Sequence, residues 1–131
     1  MVYMLLADGF EEMEAVVPLD ILRRCGIEIQ TVGISGEYVK GSHDIIIKSD
    51  ISIDEINLDN AEMLILPGGP GRVNIIKSEA AMNAIQACHT NNIPIAAICG
   101  APEILGSLNL LQGKRATCFP GSESKLTPQK S

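Results

Sequence analysis

Aromatic side chains are nearly absent. The 131 residues hold two Phe, two Tyr and no Trp, 3% in all. A core built on large rings is excluded, and the 46% of apolar residues points to an aliphatic one. Basic residues are also scarce, ten against sixteen acidic, for a formal net charge of −6. A negative surface repels phosphate backbones and anionic headgroups, so neither nucleic acid nor a membrane surface is an expected partner. No apolar run approaches the roughly 20 residues of a membrane-spanning helix. Met1 leads almost directly into a first strand, so no signal peptide is expected before it. The four cysteines, Cys25, Cys88, Cys99 and Cys118, form no C-x-x-C pair, so neither a zinc site nor a thioredoxin-type couple is expected. Reduced thiols in a cytoplasmic protein are the plain expectation.

What is present is an alternation of apolar runs and helical patterns, sized for one domain over residues 1–131. Val2–Leu6 reads as a strand, and residues 11–25 as a helix ended by Gly26, kinked or begun at Pro18. Residues 27–33 read as a second strand, 36–48 as a β-hairpin and 50–59 as a polar crossing segment. Met63–Leu66 and residues 95–98 are short, wholly apolar runs, the mark of parallel strands buried on both faces. Ser78 caps a helix that carries Met82, Ile85 and Cys88 on one side and closes at Asn91-Asn92. Residues 115–119 are a last candidate strand. The whole predicts an α/β fold, a mainly parallel sheet with helices on both faces. Ligands of such sheets sit at the carboxyl ends of the strands. Three segments fall there: residues 8–14, the loop Pro67-Gly68-Gly69-Pro70-Gly71, and Cys99. That loop lacks the Lys-Ser/Thr of a P-loop, so it predicts no phosphate site.

In Ile95-Ala96-Ala97-Ile98-Cys99-Gly100-Ala101-Pro102 a strand passes into a helix with no connecting loop. A side chain at that junction is forced outward on a tight turn, the arrangement of a nucleophile elbow. Ala97 and Ala101 are the small residues such a turn needs, and Pro102 fits a first helical turn. The positive end of the helix favours the reactive thiolate. A free cysteine is, however, most often buried and inert, and this octapeptide by itself does not separate the two readings. Among Glu11, Glu12 and Glu14, most are expected to be solvated charges of a first helical turn, and one can turn inward toward the sulfur. A backbone N–H from the Gly68-Gly69 loop, with that of Gly100, would make an oxyanion hole. His43, in the hairpin, and His89, at a helix end, read as structural or solvated. Cys25 and Cys88 read as packing, and Cys118 as packing or, less simply, a resolving thiol. Nothing resembles a metal site.

Four segments in order carry a family resemblance: Gly9-Phe10-Glu11-Glu12-Met13-Glu14 with Pro18, Leu66-Pro67-Gly68-Gly69, Ala97-Ile98-Cys99-Gly100-Ala101-Pro102, and Ala116-Thr117-Cys118-Phe119-Pro120-Gly121. They resemble the ThiJ/PfpI superfamily, in the branch of the parkinsonism-associated protein (DJ-one) and its bacterial relatives, over essentially the whole chain. The resemblance implies a flavodoxin-like three-layer sandwich and a homodimer. It implies that Cys99 is the oxidisable nucleophile, that Glu14 is the protonated glutamate contacting it, and that Gly69 and Gly100 supply the oxyanion-side amides. It calls for no cofactor. The activities it implies are glyoxalase or deglycase chemistry on methylglyoxal or glycated protein, and alternatively oxidative-stress sensing or chaperone action. Peptidases of the superfamily place a histidine directly after the cysteine; Gly100 stands there, so peptidase activity is not expected. Several members have a histidine where Phe119 stands, which removes a candidate general base. The family chain continues past Pro120-Gly121 with further strands and a closing helix, so part of its C-terminal fold is expected to be missing.

Overall fold

The computed structural model describes residues 1–127. Five strands make a wholly parallel sheet: β1 (Val2–Leu6), β2 (Ile29–Gly33), β5 (Ile51–Ser52), β6 (Met63–Leu66) and β7 (Ile95–Ala97), in the order β5-β2-β1-β6-β7. β1 is central, with Val2 opposite both Ile29 and Met63, and all five of its residues are buried. The expected hairpin is a separate antiparallel pair, β3 (Tyr38–Lys40) and β4 (Ile46–Lys48). It is strapped to the carboxyl end of β1: Gly9 N donates to Lys40 O at 2.8 Å and Ser42 N to Phe10 O at 2.9 Å.

Two apolar layers flank the sheet. On one face α1 (Glu12–Arg24) sets Ala15, Leu19 and Leu22 against Val2, Met4, Leu6 and Ile29. On the other, α2 (Arg72–Ile76), α3 (Glu79–Thr90) and α4 (Pro102–Ser107) set Ile75, Ile85, Cys88 and Ile104 against Tyr3, Leu5, Leu64 and Leu66. Each fully buried aliphatic side chain stabilises by roughly 1.5–3 kcal/mol, so this mainly aliphatic core suffices with Tyr3 and Phe10 as its two buried rings. Ser78 caps α3 as expected, its side chain accepting from Ala81 N at 3.2 Å. Glu11 caps α1, accepting from Met13 N at 3.2 Å, and the helix runs through Pro18 rather than starting there.

The structure corrects four expectations. Residues 115–119 form no strand, and residues 112–117 lie exposed with nothing to pair with. β6 and β7 are not buried on both faces: β6 alternates half-buried with buried, Ala96 is exposed, and Ile98 is 51% exposed. The cover that α1 gives ends at β6, so the outer strand has only the α3–α4 face to pack on. Cys25 does not pack; it caps the end of α1 in an exposed position. The second strand starts at Ile29, not at residue 27, since Ile27 is 42% exposed in the turn after α1. Among the described residues no helix is long and apolar enough to cross a membrane.

Candidate active site

β7 ends at Ala97 and α4 begins at Pro102, so residues 98–101 make the whole junction. Cys99 takes φ +61° there. The other non-glycine residues with positive φ among the described residues are Asp44, Asn92 and Asn109, types that tolerate it. Cys99 has no such excuse, and a strain of the order of 1–3 kcal/mol held at one side chain points to function. Three backbone bonds hold the turn: Ile98 N to Leu66 O at 3.4 Å, Ala101 N to Ile98 O at 3.0 Å, and Phe119 N to Cys99 O at 2.7 Å.

Glu14, on the first turns of α1, reaches the same point and accepts from Gly68 N at 3.0 Å. Gly68 is the floor between the two groups. A Cβ on it would lie 2.5 Å from Glu14 Oε1 and 2.8 Å from Cys99 Cβ, so only glycine lets the carboxylate and the sulfur share this space. Gly69 adopts φ +95°, and a Cβ there would strike Glu11 N at 2.6 Å. The loops after β1 and β6 are thereby pressed backbone to backbone, with Glu11 N donating to Gly68 O at 3.0 Å. Gly69, Pro70, Arg72, Cys99, Gly100, Phe119 and Ser122 line a cleft of ≈ 280 Å³. A larger recess of ≈ 330 Å³ lies near Pro94 and Leu110 and holds no cysteine or carboxylate.

The thiol of Cys99 sits above the usual cysteine range. Burial pushes it up, and the Glu14 charge with its hydrogen bond to sulfur pushes the same way; the Gly100 N–H and the Arg72 guanidinium oppose them. The expected thiolate activation by the following helix is therefore outweighed. α4 has only six residues, too short to offer much of a dipole. A carboxyl that keeps its proton would reverse the contribution of Glu14, ending the repulsion and donating to sulfur.

Over residues 1–131 the chain matches the DJ-1/PfpI family. The chain belongs to the DJ-1/PfpI family. The protein dj-1beta of Drosophila melanogaster is 36% identical over 124 residues, which cover 93% of this chain and 66% of that one. A protein of Pyrococcus abyssi named as a deglycase is 32% identical over 120 residues, 92% of this chain and 72% of that one. The crystal structure of Drosophila melanogaster DJ-1beta superposes with a TM-score of 0.89 at 32% identity, over 99% of this chain and 74% of that one. The chain thus spans about two thirds to three quarters of these relatives and holds only part of the DJ-1/PfpI fold.

The expected site residues Cys99, Gly69 and Gly100 come together in one cleft of this DJ-1/PfpI domain, and Glu14 meets Cys99 across Gly68. Two neighbours escaped the sequence. Arg72 lines the cleft and is bonded to buried Glu103 through Nε and to Gly69 O through Nη1 at 3.2 Å. Only its place just after the Gly68-Gly69 loop hinted at this. Glu12 is not a solvated charge of the first helical turn but a buried clasp on the hairpin. It accepts from His43 N at 2.8 Å, His43 Nδ1 at 3.0 Å, Ser42 Oγ at 3.3 Å and Ile45 N at 3.3 Å. Burial raises its pKa, but these hydrogen bonds outweigh it and bring the carboxyl down to about 2. Glu11, Glu12 and His43 bring ligand atoms within 4.8 Å of one another, yet both oxygens of Glu12 are already occupied by the hairpin.

Proposed function

We propose that this chain carries the catalytic centre of a cysteine-dependent enzyme acting on small reactive carbonyls such as methylglyoxal, or on their protein adducts. The observation that carries this reading is the strained Cys99 facing Glu14 across Gly68. The deglycase name of the Pyrococcus abyssi relative supports it. In the first step the sulfur of Cys99 adds to the carbonyl carbon. A C–S bond forms while the S–H proton passes to the Glu14 carboxylate, the π pair moves to oxygen, and the same proton returned from Glu14 completes a hemithioacetal. The amides of Gly69 and Gly100 would receive the oxyanion before that proton returns. The substrate is a small carbonyl or a glycated protein, in the cytoplasm, and the working form is a homodimer. The outer face of α1, with Met13, Val16, Val17 and Ile21 exposed, supplies an apolar stripe for a second copy.

One observation favours a second reading. Among the described residues no histidine lines the cleft, whose rim Phe119 occupies. Those features suit an oxidative-stress sensor or chaperone, in which peroxide takes Cys99 to a sulfinate held by Glu14 without turnover. Methylglyoxal consumption by wild type and Cys99→Ala separates the readings. Loss of consumption in the variant supports the enzyme. No consumption by wild type, with two oxygens added to Cys99 by peroxide, supports the sensor.

A further inference from the structure

Among the described residues Arg72 is the one charged side chain lining the cleft of Cys99. It is neither a loose surface charge nor a buried neutral pair. Its side chain is 29% exposed, and its Nε is bonded to Glu103, which is 5% exposed at the foot of α4. Lys125 Nζ stands 3.9 Å from the other oxygen of Glu103. One buried carboxylate thus faces two cations, and the group keeps one surplus positive charge. The guanidinium is aimed by these contacts. It lies across the elbow glycine, where a Cβ on Gly100 would come within 2.9 Å of Arg72 Cδ and 3.1 Å of Nε. The hydrogen bonds to Glu103 and to Gly69 O engage two of the five N–H donors an arginine carries. Its charge is also close enough to stabilise the Cys99 thiolate.

We propose that Arg72 is the anion anchor of this cleft, and that the carbonyls it favours as Cys99 hemithioacetals are small aldehydic or 2-oxo acids bearing a carboxylate one bond from the reactive carbonyl. This rests on the reading of Cys99 as the nucleophile. The argument is one of reach and charge. A carbonyl carbon attacked at the elbow has its neighbouring atom beside Gly100, where the guanidinium lies. A carboxylate at that atom meets a planar fork already held in place, the geometry arginine offers best. A methyl group at the same atom gains nothing from it. Buried Glu103 acts as a positioning residue that fixes the guanidinium without touching substrate.

The test uses three probes: glyoxylate, which carries the carboxylate; methylglyoxal, which does not; and oxalate, an anion that the sulfur does not attack. Wild type is expected to form its Cys99 hemithioacetal at a lower half-saturating concentration of glyoxylate than of methylglyoxal, read as slowed iodoacetamide alkylation. In Arg72→Gln the loss of adduct affinity for glyoxylate should exceed the loss for methylglyoxal by about tenfold or more, as expected for a charged hydrogen bond removed. Oxalate should slow iodoacetamide alkylation of Cys99 in wild type, partly in Arg72→Lys, and not in Arg72→Gln. Should Arg72→Gln fail to fold with Glu103 left unpaired, Arg72→Gln/Glu103→Gln removes both charges and must show the same selective loss. Equal losses for the two substrates, or oxalate protection that survives Arg72→Gln, overturn the anchor while leaving the carbonyl reading intact. Absence of a Cys99 adduct with either carbonyl defeats the carbonyl reading, and oxalate protection then still decides whether Arg72 holds an anion beside Cys99.

Discussion

Gly68→Ala is the smallest change that tests whether Glu14 and Cys99 share one packed site. The φ of Gly68 is not in the left-handed region, so alanine fits the backbone and only contacts decide the outcome. The new methyl would lie 2.5 Å from Glu14 Oε1, 2.8 Å from Cys99 Cβ and 2.9 Å from the Ile98 carbonyl oxygen. Ordinary contacts need about 3.5 Å, so each group must retreat by roughly 0.5–1 Å. The carboxylate can swing, at the cost of its bond from Gly68 N. The elbow cannot, because Ala101 N and Phe119 N pin the carbonyls on either side of the Cys99 Cα. Overpacking of this kind costs about 1–3 kcal/mol and the lost hydrogen bond about 1 kcal/mol more. Together they come to about 2–4 kcal/mol of a total that is typically 5–15 kcal/mol, or a Tm lower by roughly 10 °C. Gly36→Ala is the control: nothing lies within 4 Å of its Cβ position and its φ is ordinary. It should stay within about 0.5 kcal/mol of wild type or gain slightly. Urea unfolding read beside the rate of Cys99 alkylation measures both effects. A Gly68→Ala protein as stable as Gly36→Ala, with Cys99 alkylated at the wild-type rate, would show that the carboxylate and the sulfur do not meet over Gly68.

Three further outcomes are expected. Iodoacetamide alkylation of Cys99 should still be rising with pH beyond the ordinary cysteine range, and a plateau at neutral pH would contradict the burial and the Glu14 contact. Glu14→Gln removes the charge and keeps a donor, so it should lower the thiol midpoint below that of Glu14→Leu, which removes both; three superimposable titrations would take Glu14 out of the site. The Glu12–His43 clasp should protect the amides of His43 and Ile45 from exchange in a limited window. The carboxylate is held below its ordinary 4.5, so its contribution is complete above that value and fades as pH falls toward about 2. The imidazole is raised above its ordinary 6.5 by its hydrogen bond and charge contact with Glu12, so its contribution is complete below 6.5 and fades as pH rises through the raised value. Protection that is flat from acid to alkaline pH, or that survives Glu12→Gln, would refute the clasp.

The sequence carried those features that rest on local chemistry. The apolar run of β7 followed at once by Cys99-Gly100-Ala101-Pro102 can only be a tight strand-to-helix junction, and the strained φ of Cys99 is its direct consequence. Gly68-Gly69 marked a close backbone approach for the same kind of reason. What escaped depends on partners far away in the chain. Three carboxylates stand within four residues at the start of α1, and nothing local says that Glu14 turns to the sulfur while Glu12 turns to the hairpin. The angular step along the helix separates them, but the hairpin that receives Glu12 is placed by contacts made more than thirty residues on. Arg72 was invisible because its meaning depends on Glu103, and residues 115–119 were misread because a short run such as Ala116-Thr117-Cys118-Phe119 needs a neighbouring strand before it can pair.

The same outer edge explains how a strained turn persists beside half-covered strands. On the face of α2, α3 and α4 the elbow rests on solid packing, with Ala101, Ile104 and Gly100 all buried. On the face of α1 the cover thins from Met4, fully buried, through half-buried Ile65 to exposed Ala96. Strain at Cys99 is therefore not held by burial on both sides. It is held by backbone hydrogen bonds, and the shortest of the three around the turn comes from Phe119, in a stretch with no regular secondary structure. A bond made by an irregular segment opens at lower free energy than one inside a sheet. The reactivity of Cys99 is accordingly coupled to residues 119–122, which place Phe119 on the rim of the cleft and Ser122 in its wall.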